Sequence, residues 1–305
     1  MSTESDNRVE SFSLYEAILT IWDHKRFIFI FTSISLIISI IISLILPVKY
    51  TSYAVLREAN DEDKSAISSV AGQFGALASL GGIDLGAGVE SKADLGIQTL
   101  DSLELIRRVS QYQGFTEAIL ATKKYNRNTG SLSYKSRLYD PEKNMWKRNG
   151  VLDDEYTPSF QEVKRKLRRS FSASKDNRTN FVTVRFTHAS PIFARDFVMA
   201  AVSEMNNIIR ESDLALAEEA IDYLETELQD IPQLDLKQST NQLLEAQLNK
   251  KMYATVMQDY VLQYIDPPII PERKSSPWRS MIVIFGSLLG AFLGSFYILV
   301  RKFLN

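Results

Sequence analysis

The 305 residues carry 35 Lys and Arg against 37 Asp and Glu, a net charge of −2, and this near balance argues for no nucleic-acid partner. The chain has no cysteine, which excludes disulfides, cysteine-ligated metal and thiol catalysis. Its two histidines, His24 and His188, stand far apart, so neither a His-rich metal site within one chain nor a cofactor is expected.

Residues 1–11 are polar. Leu14 to Trp22 is a short amphipathic stretch, with Leu14, Ile18 and Ile21 at helical spacing. His24-Lys25-Arg26 follows. Phe27 to Leu46 then holds 20 uncharged residues, mostly Ile, Leu and Phe, and predicts a transmembrane helix about 30 Å long. The run is longer than a signal-peptide core, no small-x-small cleavage site follows it, and Pro47 reads as a helix stop, so an uncleaved anchor is expected.

Tyr50 to Arg57 alternates and is rich in β formers, which predicts a strand leaving the first span directly. Asn60 to Lys64 is polar. Ser65 to Glu90 is dominated by Ala, Gly, Ser and Leu; it lacks the Gly-Lys-Ser/Thr of a phosphate loop, and Ser91 stands where a dinucleotide fingerprint needs glycine. It reads as a mildly apolar loop, or as one that touches a membrane partner. Ala93 to Gln111 predicts one helix, broken by Gly114, and Phe115 to Lys124 a shorter one. Tyr125 to Thr157 is polar with scattered aromatics, and Pro158 opens the next helix at its first turn.

That helix carries Lys164-Arg165-Lys166-Leu167-Arg168-Arg169. Lys164, Arg165, Arg168 and Arg169 are candidate contacts for anionic lipid or glycan; the competing reading is the solvated face of an amphipathic helix over Val163 and Leu167. Phe171–Lys175 and Thr179–Thr187 predict a hairpin turning at Asp176-Asn177-Arg178. Ser190-Pro191 is an N-cap with proline at the first helical position, and no further proline appears until Pro232, which leaves room for a helix of about 40 residues. Its apolar seam runs through Ala194, Val198, Ala201, Met205 and Ile208, slips at Arg210–Asp213, and resumes as Leu214, Ala217, Ile221, Leu224 and Leu228. Two seams in different phase imply two packing partners: the strands first, then another helix or a neighbouring subunit. Leu236–Tyr260 predicts an antiparallel return helix and Tyr260–Ile265 a closing strand.

A proline-rich collar follows, Asp266 to Pro277, with Pro267, Pro268, Pro271 and Pro277 holding stiff, extended backbone. Met281 to Val300 is a second uncharged run of 20 residues. In it Gly286, Gly290 and Gly294 recur every fourth residue, the spacing of a close helix–helix contact. Two spans put both termini on one side of the membrane and residues 47–277 on the other. The chain shows no Gly-x-Ser-x-Gly, His-Glu-x-x-His or Walker motif, and no catalytic residue is proposed by sequence.

This layout resembles the bacterial chain-length determinants, the Wzz-type class 1 polysaccharide co-polymerases. The resemblance is carried by Leu14–Arg26 ahead of the first span, the Tyr50–Arg57 strand, Phe181–Asn206 around Pro191 and Ala194, and above all the Asp266–Pro277 collar joined to the glycine-bearing span. It implies a membrane-anchored α+β protein of the bacterial inner membrane, two transmembrane helices flanking a periplasmic α/β base with a long projecting helical hairpin. The expected boundaries are a cytoplasmic segment 1–26, a span 27–46, a periplasmic domain 47–277 with its base in about 47–200 and 258–277 and its projection in about 201–257, a second span 278–300, and a cytoplasmic tail 301–305 with no fused kinase. The resemblance further implies a ring-shaped homo-oligomer, an octamer, that is not itself a catalyst. It works with an integral-membrane O-antigen polymerase on lipid-linked polysaccharide and sets the length of the product. The glycine face would meet that polymerase or a sister subunit. An export adaptor for capsule or exopolysaccharide and a two-span sensor are the alternatives.

Overall fold

The computed structural model describes residues 22, 24–59, 91–230 and 234–304. The amphipathic stretch before Trp22, the segments 60–64 and 65–90, and the Ile231-Pro232 helix stop lie outside the described residues. The chain divides into two units, one holding residues 49–274 and the other 1–48 with 275–305.

Helix α1 (Lys25–Ile45) covers the first apolar run. Its end is dictated locally: Leu46 precedes Pro47, whose ring disfavours helical backbone before it, and Leu46 is extended at φ −63° and ψ 131°.

The second unit is built on strand β1 (Tyr50–Glu58). Elements α2 (Lys92–Leu100), α3 (Leu103–Val109), α4 (Phe115–Ala121), β2 (Thr122–Tyr125), β3 (Leu132–Tyr134), β4 (Tyr139–Asp140), β5 (Met145–Arg148) and β6 (Val151–Leu152) follow. Then come α5 (Phe160–Leu167), β7 (Phe171–Lys175), β8 (Val182–His188), α6 (Pro191–Asp230), α7 (Leu234–Val256) and β9 (Leu262–Asp266). Four strands form an antiparallel sheet in the order β7-β8-β1-β9. Strand β1 pairs with β8 from Tyr50↔His188 to Leu56↔Val182, and on its other side with β9 from Val55↔Asp266 to Glu58↔Leu262. The first and last strands of the unit are therefore neighbours.

Alternation sets the buried face. Ala54, Leu56, Val182, Val184 and Phe186 are all buried, and the first half of α6 covers them with Phe197, Val198, Ala201 and Met205. The Phe186 and Phe197 rings stack with centroids 4.1 Å apart. Each of the Val, Leu, Phe and Met side chains among them stabilises the fold by about 1.5–3 kcal/mol on leaving water. Helix α2 reaches the same core at Gly96, where an added Cβ would stand 3.1 Å from Leu262 Cδ1 and 3.4 Å from Met205 Sδ.

Helix α6 has the expected 40 residues and begins where predicted, with Ser190 Oγ accepting from Phe193 N–H at 3.2 Å. Its first seam packs on the sheet, although Ile209 and not Ile208 is the buried residue at its end. Ala217 and Ile221 continue the second seam. Helix α7 packs there, with Lys250 Nζ 2.8 Å from Asp213 and Lys251 Nζ 3.0 Å from Glu218.

Three local expectations are corrected. The single helix over Ala93–Gln111 is two, because Ser102 takes extended backbone and its hydroxyl accepts from Leu105 N–H, starting a new helix. The helix expected over Phe115–Lys124 ends at Ala121, and Thr122–Tyr125 pairs with Leu132–Tyr134 instead. Helix α5 starts after Pro158, not at it: Ser159 is the cap, and its hydroxyl accepts from Glu162 N–H at 3.3 Å.

Helix α8 (Arg279–Leu304) closes the chain. Among the described residues, α1 and α8 are the two helices long and apolar enough to cross a membrane.

Candidate functional site

Within the terminal unit the three glycines of α8 lie against α1 in antiparallel register. A Cβ at Gly286 would overlap the Ser39 hydroxyl; one at Gly290 would stand 2.5 Å from Ser35 Cβ; one at Gly294 would stand 3.5 Å from Phe31 Cβ. As the glycine number rises by four, the partner number falls by four. Ser35 Oγ donates to Gly286 O at 2.7 Å, while Ser39 Oγ donates back to Ser35 O within its own helix. The Phe27 and Tyr297 rings stack with centroids 5.7 Å apart. Glycine here permits backbone approach, and a hydroxyl then satisfies a carbonyl in an apolar surrounding. The face that sequence reasoning offered to a polymerase or sister subunit is occupied by the first span of the same chain. Sequence reasoning overlooked the complementary ladder on α1, although Ser35, Ser39 and Ser43 recur every fourth residue through an Ile-rich run.

The collar follows β9. Pro268 is buried, and Ser52 Oγ on β1 donates to Ile269 O at 2.8 Å, so the collar is fastened to the central strand. Pro267 is exposed and Pro271 half-buried. Pro277 belongs to the terminal unit, where the Ser276–Pro277 peptide is cis and Trp278 Nε1 donates to Ser275 O at 3.1 Å.

The basic residues of α5 separate into three groups. Val163 and Leu167 are buried beneath the helix, as the amphipathic reading expects. Lys164 turns to Asp101, donating to its carbonyl and standing 3.4 Å from its carboxylate. Arg168 is exposed. Arg165 and Arg169 meet at a cleft of about 290 Å³, joined by Lys166 and Lys147 and walled by Trp146 and Tyr156. The aromatics come from the 125–157 region, where sequence reasoning assigned no element. Tyr139 ties that region together, with its ring 5.1 Å from Trp146 and 5.3 Å from Tyr134. Among the described residues Glu162 is the one carboxylate lining the cleft; it accepts from Tyr156 Oη at 3.2 Å and stands 3.8 Å from Arg165.

A larger cavity of about 690 Å³ lies by the β7–β8 turn, with Arg57, Glu58, Lys175, Phe181 and Tyr264 in its lining. Lys175 is paired there with Asp94 at 3.1 Å.

His188 ends β8 inside the core. Its Nδ1 accepts from Ser190 N–H at 3.1 Å, which leaves the proton on Nε2 to be donated to Ala118 O at 2.9 Å. Burial lowers its pKa to about 4, so the ring is neutral at physiological pH. On the outer side of α6, Tyr112 Oη donates to Glu204 at 2.6 Å and Arg108 spans Glu104 and Glu211, which fastens α3 to α6. These bonds are structural. Among the described residues no group of three or more His, Asp or Glu could hold a metal.

Residues 10–112 match the family model described as Wzz, chain length determinant protein. No curated protein matches the chain. Among solved structures it is similar to a full-length bacterial polysaccharide co-polymerase, 12% identical, covering 96% of this chain and 98% of that one at a TM-score of 0.42. It is also similar to a fragment of WzzB, a polysaccharide co-polymerase from Salmonella Typhimurium, 14% identical, covering 75% of this chain and 100% of that one at a TM-score of 0.28.

Proposed function

We propose that this chain, whose residues 10–112 carry the chain length determinant signature, regulates the length of a surface polysaccharide, lipopolysaccharide O-antigen, as a non-catalytic co-polymerase. The observation that carries the reading is the pairing of β1 with β9. The strand that leaves the first apolar helix is hydrogen-bonded to the strand that leads, through the prolines, to the second. Because the two strands are antiparallel, the start of β1 and the end of β9 lie at the same end of the sheet, so a domain folded this way is tethered to the bilayer by both chain ends from one side.

In this reading residues 47–277 are periplasmic, with a base in about 47–200 and 258–277 and α6 and α7 projecting over about 201–257. Residues 1–26 and 301–305 are cytoplasmic, on either side of spans at 27–46 and 278–300 in the inner membrane. Copies of the chain assemble into a ring, an octamer, beside an integral-membrane polymerase. The ring sets the time for which lipid-linked polysaccharide is extended, by shape and surface contact and without bond chemistry of its own.

Deletion of the gene, followed by electrophoretic separation of surface polysaccharide, tests the proposal. A changed length distribution is expected. An unaltered distribution overturns it, and loss of surface display at normal length points to an export adaptor instead.

A further inference from the structure

Among the described residues, the cleft beside α5 gathers four cations, Lys147, Arg165, Lys166 and Arg169, against one carboxylate, Glu162. Lys147 is paired with Asp140 at 3.4 Å, while Arg165 stands 3.8 Å from Glu162, beyond hydrogen-bond distance. Lys166 and Arg169 have no carboxylate partner among the described residues. Partial burial lowers the pKa of Lys166, and the charges of Lys135, Lys49 and Arg169 lower it further. Like charges held together at the edge of a cleft destabilise the folded chain, and an external anion relieves them. Two arginines supply forked donors that match phosphate oxygens. Trp146 and Tyr156 give the cleft an apolar wall with a polar edge, the surface that suits the boundary between headgroup and acyl chain.

We propose that this cleft receives the phosphate headgroup of an anionic membrane lipid, with Arg165, Lys166 and Arg169 holding the phosphate and Trp146 and Tyr156 flanking it. Lys49, whose charge reaches Lys166, follows the end of α1 by four positions. Four residues extend at most about 14 Å. Chain continuity therefore bounds how far Lys49 itself can stand from the end of α1. The inference rests on the membrane-anchored reading of α1 and α8 and adds a lipid to the partners proposed above.

The test uses the full chain purified in neutral detergent with equal amounts of phosphatidylglycerol and phosphatidylcholine, and native mass spectrometry to count the lipid retained. The wild-type chain is expected to prefer phosphatidylglycerol by about tenfold, the effect of one to two basic side chains near an anionic surface. Lys166→Gln with Arg169→Gln should bring the preference to near parity. Lys166→Arg with Arg169→Lys should keep it, and so should the charge-matched control Arg178→Gln with Arg185→Gln. All variants are compared below the melting temperature, where each is folded. Retained preference in the folded Lys166→Gln, Arg169→Gln chain overturns the proposal, as does equal loss in the control. Inorganic pyrophosphate that binds through Lys166 and Arg169 without any lipid preference would reassign the cleft to a soluble phosphate. The polysaccharide gel separates the two ideas. Altered length on gene deletion without lipid preference removes only the lipid site, and lipid preference with unaltered length removes only the length-control reading.

Discussion

Asn206 grips Leu262 by both ends of its carboxamide. Its Nδ2 donates to Leu262 O at 3.0 Å, and its Oδ1 accepts from Leu262 N–H at 3.0 Å and from Val261 N–H at 2.9 Å. Asn206 is only 2% exposed, and Leu262 is fully buried. The start of β9 is thus hydrogen-bonded to β1 along its strand and to α6 through one side chain. This amide decides where the chain turns from α7 back into the sheet.

Asn206→Ala removes three bonds and strands buried backbone donors and an acceptor. The expected cost is about 2–4 kcal/mol, because an unsatisfied buried polar group costs more than a hydrogen bond contributes. A thermal melt of the detergent-purified chain should show a clear fall. Asn206→Leu keeps the volume but not the bonds, so it should be comparably destabilised; a wild-type melting temperature in that variant would mean that packing alone holds the strand.

The pairing of α1 with α8 predicts a specific cross-link. A Cβ at Gly294 stands 3.5 Å from Phe31 Cβ, at the short end of disulfide geometry. The chain has no cysteine of its own, so Phe31→Cys with Gly294→Cys has no background. Mild oxidation in membranes should join the two spans within one chain, and protease fragments from the two ends should stay together until reduction. Covalent dimers in place of linked fragments would mean that each span pairs with a neighbour's.

His188 predicts an acid-sensitive core. Burial holds the folded ring at about 4, against the ordinary histidine value of 6.5. Between these values the unfolded chain binds the extra proton and the folded chain does not. Stability is therefore fully present above about pH 6.5 and falls as pH is lowered toward 4. The loss is about 3 kcal/mol over that window. Denaturant midpoints measured from pH 4 to 7 should show this slope, and His188→Gln should flatten it. The stability that Glu104 contributes, with its pKa lowered to about 2 by Arg107 and Arg108, is fully present above its ordinary value of 4.5 and is lost as pH falls toward 2.

Much of this was legible where one local rule acts alone. The apolar runs, the Ser190-Pro191 start of α6 and the Asp176 turn each follow from a short-range effect; Asp176 Oδ1 indeed accepts from Arg178 N–H at 2.8 Å. The phase slip at Arg210–Asp213 also foretold a change of partner on α6. What escaped depends on pairs distant in sequence. Asn206 reads as an ordinary helix residue until Leu262 is beside it. Ser35 reads as a tolerated polar residue in a span until Gly286 faces it. The strands within 122–152 are two to four residues long, too short for alternation to register. Of the basic run on α5, the spacing foretold an amphipathic helix. That Arg165 and Arg169 share a cleft with Trp146 requires the fold.

Asp213 sits at that phase slip and joins three elements. One carboxylate oxygen accepts from Tyr260 Oη at 2.8 Å and the other stands 2.8 Å from Lys250 Nζ. Lys92 Nζ lies 5.3 Å from the centroid of the Tyr260 ring. Helix α6, helix α7 and the entry to β9 therefore meet at one side chain. Burial and the neighbouring carboxylate raise the Tyr260 pKa, so the phenol keeps its proton and remains a donor at any physiological pH. Asp213→Ala removes both bonds at once. The cost to global stability is expected to be about 1–2 kcal/mol, since the site is partly solvated. Its local effect should be larger. Hydrogen exchange should quicken through the last turns of α7 and in residues 257–262, with protection of β1 and β8 unchanged. Tyr260→Phe, which keeps the ring under Lys92 and the ion pair to Lys250, should reproduce only the part at residues 257–262. If Asp213→Ala leaves exchange in α7 as it was, the grip of α6 on α7 lies in the Ala217 and Ile221 seam, and Asp213 fastens β9 alone.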